Sequence, residues 1–155
     1  MELFSKAFNH EEKIPKEYVM KSIGGENISL PLNWNGAPRE TRSFALSIVD
    51  PHPVANNWIH WLVVNIPPSV SAIEEGASRQ SMPSGSVELQ NSYGEFGYGG
   101  PQPPKGSGVH PYVLTLYALS EERLDLDKKV SLEEFNKAVE ARTLEKASIT
   151  GHYSQ

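Results

Sequence analysis

Gly94-Glu95-Phe96-Gly97-Tyr98-Gly99-Gly100-Pro101-Gln102-Pro103-Pro104-Lys105-Gly106-Ser107-Gly108-Val109-His110 runs almost directly into the apolar segment Tyr112–Leu119 (YVLTLYAL), and this junction decides how the chain is read. So dense a run of Gly and Pro excludes helix and central strand. Pro lacks the backbone donor, and Gly loses the most entropy on ordering. Phe96 and Tyr98 interleave the glycines, which is not the composition of a floppy linker. The β-branched and aromatic content of 112–119 marks a strand. A stiff loop that delivers a histidine to the mouth of a sheet is a common way to build a small-molecule site. A second stretch has the same order of parts: Asp50-Pro51-His52-Pro53, then Trp58-Ile59-His60-Trp61, again loop, histidine, strand.

Outward from these two junctions the chain reads as strands separated by turns. Ser43–Val49 (SFALSIV) is a compact apolar run stopped by Asp50-Pro51, and His60–Ile66 (HWLVVNI) is another, stopped by Pro67-Pro68; both predict buried strands. Residues 2–8 alternate weakly, as an edge strand does. Ile14–Val19 reads as a turn leading into a short strand, and Leu89 and its neighbours add another. Residues 67–86, with Pro, Ser, Gly and Glu74-Glu75, predict an exposed connection, and Trp34 is expected in the core. Ser131-Leu132-Glu133-Glu134 is a capping box. Leu132, Phe135, Ala138 and Val139 then fall at helical spacing, predicting a helix from about Leu132 to Ala147 with one apolar stripe for core packing, followed by a weakly ordered end. The sum is one antiparallel, mostly β domain over 1–155, with long loops and a late helix.

Composition narrows the function. The 155 residues suit a single domain with a core that needs no covalent staple. A net charge of −5 with scattered Lys and Arg argues against nucleic acid. The absence of cysteine excludes disulfides, thiol chemistry and a Cys-ligated zinc site. No apolar run reaches the roughly 20 residues that span a bilayer, so no integral membrane association is expected, and the N-terminus lacks the character of a signal peptide. A cytoplasmic protein is the default expectation.

Asp50 and His52 are two apart in an extended, Pro-flanked segment, and His60 and His110 stand at loop–strand boundaries. One carboxylate, three imidazoles, Tyr112 and a Gly-rich loop with free N–H groups suit an anion pocket. The same donors suit a metal such as zinc, or general acid–base work. No Gly-x-Ser-x-Gly elbow, P-loop, His-Glu-x-x-His or dinucleotide fingerprint is present. Ser92 and Ser107 have no base paired with them in the sequence.

DPHPVANNWIHWLVVNIP (50–67) resembles the first signature of the phosphatidylethanolamine-binding protein family, which includes the Raf kinase inhibitor proteins. GYGGPQPPKGSGVHPYVLTLYAL (97–119) resembles the second, and ENISLPLNW and the C-terminal segment are similar to the short prokaryotic branch, so the resemblance covers nearly the whole chain. It implies a Greek-key β-sandwich of two antiparallel sheets with a small pocket at one end for phosphate and phospho-headgroups. Asp50, Trp58, His60, Gly100, Pro101, His110 and Tyr112 are the matching pocket positions. The first signature departs from the family's Asp-Pro-Asp-x-Pro: His52 stands where a second carboxylate is usual, and Leu30 replaces a common proline. With His52 in the pocket, phosphate-type ligands are expected to bind more tightly as pH falls from about 8 toward 6. The expected function is a phospho-ligand-binding module without cofactor, not an enzyme, and regulatory through inhibition of a kinase or a serine protease. The alternative is a metal-dependent hydrolase using Asp50, His52 and His60.

Overall fold

A computed structural model describes residues 1–155. The three apolar runs form long strands side by side: β3 (Ser43–Asp50), β4 (Trp58–Ile66) and β7 (His110–Leu119). The others are β1 (Glu2–Phe4), β2 (Leu32–Asn35), β5 (Ala72–Ile73), β6 (Val87–Glu88) and β8 (Thr143–Tyr153), and α1 (Leu132–Glu140) is the one α-helix. Two antiparallel sheets result, one ordered β1-β2-β5 and the other β6-β4-β3-β7-β8. In the larger sheet β3, β4 and β6 are successive neighbours and β7 returns beside β3, which is the Greek-key order.

The apolar runs are continuous because the large sheet is covered on both faces. Phe44, Leu46 and Ile48 of β3 and Tyr112, Leu114 and Leu116 of β7 point inward, with Leu32 and Trp34 of the small sheet in the same core. Their neighbours Ala45, Leu62, Val64, Tyr117 and Leu119 face the other way and pack against Phe135 and Val139 of α1. Burying each such side chain contributes roughly 1.5–3 kcal/mol, so the helix stripe is core, as predicted.

Four expectations need correction. The helix stops at Glu140 rather than Ala147. The Arg142 N–H donates to Val139 O, the Arg142 guanidinium to Ala138 O and the Thr143 hydroxyl to Val139 O, closing its C-terminal carbonyls. The supposed loose end is β8, which pairs with β7 from Thr143↔Leu119 to Tyr153↔His110. Its signal is the alternation Ile149, Gly151, Tyr153, all buried. Lys16–Tyr18 is a short 3-10 turn behind Pro15, with no strand at 14–19. The connection 67–86 is not all exposed: it contributes β5 and buries Ile73 and Ala77.

Candidate ligand pocket

The loops at the β3–β4 and β7 junctions meet at one end of the sandwich around a cavity of about 380 Å³, a volume typical of small-molecule sites. Asp50 closes β3 and organises the first loop. Its Oδ1 accepts the His52 N–H at 2.9 Å, and the His52 carbonyl accepts the N–H groups of Ala55 and Asn56. Asn56 and Asn57 take left-handed backbone (φ 50° and 58°), which short polar side chains tolerate. Asp50 Oδ2 accepts the Nδ1–H of His110 at 2.6 Å. Asp50 is 2% and His110 0% exposed, so this is a buried contact.

His60, on the inner face of β4, donates its Nδ1–H to Gly99 O at 2.7 Å, while Gly99 N–H donates back to His60 O. Burial lowers the imidazole to about 4, against the opposing pull of the Gly99 carbonyl and the Asp50 charge. At neutral pH it is therefore an uncharged ring whose Nε2 lone pair has no partner in the chain. Tyr112, 1% exposed, lines the same cavity, and its hydroxyl makes no hydrogen bond within the protein. Burial first, then the Asp50 carboxylate, push its ionisation up, so it remains an O–H donor. Trp58 and Tyr93 form the apolar wall, ring edge to ring face at 5.3 Å. The Tyr93 hydroxyl donates to Gly100 O at 2.8 Å.

Asp50, Trp58, His60, His110 and Tyr112 thus converge as the sequence led us to expect. Gly100 and Pro101 do not line the cavity. Gly100 N–H donates to the Asn27 side chain, Pro101 O accepts from Met20 N–H, and a Cβ on Gly100 would sit 2.2 Å from Tyr18 O. These two residues brace the loop, and the next three, Gln102, Pro103 and Pro104, form the wall. The Gln102 N–H has no acceptor in the chain. His52 also stands outside the lining. Its ring stacks on that of His110, with centroids 3.8 Å apart and planes within 8°, and its Nδ1 accepts the Val54 N–H. It covers one face of the His110 ring. Asp50, His52 and His60 are not gathered into a ligand set: no group of three His, Asp or Glu side chains in the protein is arranged to hold a metal.

Sequence reasoning missed Tyr93 and Gln102–Pro104, and it missed the partner of Ser107. Ser107 Oγ lies 2.8 Å from His110 Nε2 and donates to Pro104 O at 2.6 Å. The i to i+3 spacing of Ser107 and His110 was visible, but only the fold shows that Gly108 and Val109 bend the chain enough for them to meet. The chain end also ties this loop, with the Gln155 side chain donating to Pro103 O and Gly106 N–H to Gln155 O.

A two-sheet Greek-key sandwich with a histidine-bearing pocket at one end is the class that fold and site define. The family described as phosphatidylethanolamine-binding protein matches residues 4–154, and the chain belongs to it. It is 42% identical over 154 residues to the UPF0098 protein of Methanothermobacter thermautotrophicus, covering 99% of this chain and 98% of that one. It is 35% identical to the UPF0098 protein YbhB of Escherichia coli, covering 99% and 100%. Among solved structures, Escherichia coli YbcL, described as a new member of the mammalian PEBP family, superposes with TM-score 0.92 at 33% identity over 99% of this chain and 98% of that one. A homologue from Chlamydia trachomatis gives TM-score 0.84 at 33% identity, covering 99% and 97%. The resemblance read from the two signatures is thereby shown, and so is the prokaryotic branch. No helix is long and apolar enough to cross a membrane.

Proposed function

We propose that the protein binds a small phosphate-type ligand, inorganic phosphate or a phospho-headgroup, in the pocket between β4 and β7. The observation that carries this reading is a set of unspent polar atoms in a mostly apolar cavity: the Tyr112 O–H, the Gln102 N–H and the neutral Nε2 of His60. Two donors and one acceptor match a phosphate monoanion, whose own O–H can donate to His60. No Lys or Arg lines the cavity, and Asp50 does. A dianion would meet an opposing charge, so the monoanion is the form the site selects. The dianion of a phosphate monoester takes up a proton near pH 6 and becomes the monoanion. Affinity therefore rises as pH falls from about 8 toward 6, carried by the ligand's own proton, while His60 stays neutral and accepts it.

Calorimetric titration with phosphate and with phosphoethanolamine tests this. Saturable one-to-one binding that weakens in Tyr112→Phe is expected; absence of binding at millimolar ligand, or equal affinity in the variant, would overturn it. A regulatory role through inhibition of a kinase or a serine protease is the partner-level extension of the same reading. It requires a complex that forms with the purified partner and responds to phosphate.

A further inference from the structure

Ser107, His110 and Asp50 form a continuous hydrogen-bonded chain. Ser107 Oγ is 2.8 Å from His110 Nε2, and His110 Nδ1 is 2.6 Å from Asp50 Oδ2. The second Asp50 oxygen is fixed by the His52 N–H, and the His52 ring stacks on His110. The imidazole is therefore held in one plane with Nδ1–H toward the carboxylate, which leaves Nε2 facing the serine. A hydroxyl, a base within hydrogen-bond reach and a third group that orients the base is the arrangement that activates a serine nucleophile, and it is recognised by geometry, not by chain order.

The surroundings suit that role. The Ser107 hydroxyl hydrogen has two acceptors in reach, Pro104 O at 2.6 Å and Nε2 at 2.8 Å. Rotation about Cβ–Oγ moves it from one to the other without shifting a heavy atom. Gly106 and Gly108 flank the serine with φ of 81° and 87°, and nothing lies within 4 Å of where a Cβ on either would be. Approach to Ser107 is open on both sides. The N–H groups of Gly108 and Val109 donate to no acceptor in the chain, so two backbone donors next to the serine are free for a developing oxyanion.

We propose that Ser107 is a nucleophile, with His110 as its base and Asp50 as positioning residue, for transfer of the acyl group of small carboxylic esters to water. Oγ attacks the ester carbonyl carbon while its proton passes to His110 Nε2. The carbon–alkoxy bond breaks, and the leaving alcohol takes that proton. Water then attacks the acyl-serine and gives a proton to Nε2. Ser107 leaves with it, so one ester and one water yield one acid and one alcohol. This inference does not rest on the phosphate reading; it uses the Nε2 edge of His110 that meets Ser107 and would survive that reading's failure.

The test uses the full chain with 4-nitrophenyl acetate. A burst of nitrophenolate approaching one equivalent is expected, with the acetyl group mapped to Ser107 by peptide mass spectrometry. Ser107→Ala should lose the burst and at least about a hundredfold in rate, while a control at the exposed Ser84, Ser84→Ala, changes neither. Should Ser107→Ala not fold, labelling the unaltered chain with phenylmethylsulfonyl fluoride decides, the adduct being expected on Ser107. Release no faster than in buffer, release unchanged in a folded Ser107→Ala, or modification confined to other residues would overturn the proposal.

Discussion

Burying a neutral imidazole beside Gly99 makes stability depend on pH in a calculable way. In the unfolded chain His60 titrates near 6.5; in the folded protein burial holds it at about 4. The folded pKa is depressed, so the unfolded state binds the proton more readily between these values, and acid favours unfolding. The contribution of neutral His60 is fully present above about pH 6.5, is lost as pH falls toward 4, and changes no further below that. Linkage over a shift of this size gives about 3 kcal/mol in total and about 2 kcal/mol between pH 7 and pH 5. Urea unfolding of the protein and of His60→Asn at both pH values isolates the term, because the carboxylates titrate alike in the two. The asparagine amide keeps a donor for Gly99 O. The unaltered protein should lose about 2 kcal/mol more than the variant between pH 7 and pH 5. Equal losses would refute the argument, showing that His60 reaches water or takes its proton inside the fold.

Tyr112→Phe should lower phosphate affinity about tenfold, the worth of one hydrogen bond, yet leave the melting temperature nearly unchanged, since the hydroxyl has no partner in the chain; calorimetry and thermal melts read the two effects separately. Gly100→Ala forces a Cβ to 2.2 Å from Tyr18 O and should cost about 1–3 kcal/mol or more in urea unfolding. Deleting 143–155 removes β8 and uncovers the whole length of β7; we expect aggregation on size-exclusion chromatography, and a soluble monomer would contradict the topology. Ser131→Ala removes the oxygen that accepts the Glu134 N–H at 3.1 Å and should cost about 1 kcal/mol with no change in phosphate binding, because α1 packs against the outer face of the sheet, away from the pocket.

The long strands were legible because a sheet covered on both faces writes uninterrupted apolar runs, as in SFALSIV and YVLTLYAL. β8 was not: only its last five residues carry a buried alternation, while Leu144–Lys146 read equally well as a helical continuation of α1. The pocket was legible where side chains enter from strand ends, as with Asp50, His60, His110 and Tyr112. It was illegible where backbone makes the site. Which of Gly100, Pro101, Gln102 and Pro103 faces the cavity depends on the turn, and the turn is set by Asn27 and Met20 from a distant loop. His52 occupies a signature position, but the Asx turn at Asp50 aims its ring over His110, a direction no spacing rule supplies. Ser107 looked unpaired because its base lies across the bend that Gly108, at φ 87°, permits.

The most direct test of the central claim is an amide and imidazole NMR titration of the isotope-labelled protein with phosphoethanolamine. Binding between β4 and β7 predicts that the Gln102 N–H, free in the chain, and the His60 Nε2 resonance shift most and saturate together. Shifts confined to the polar cavity at the other loops, around Lys21 and Arg79, or none at saturating ligand, would contradict it.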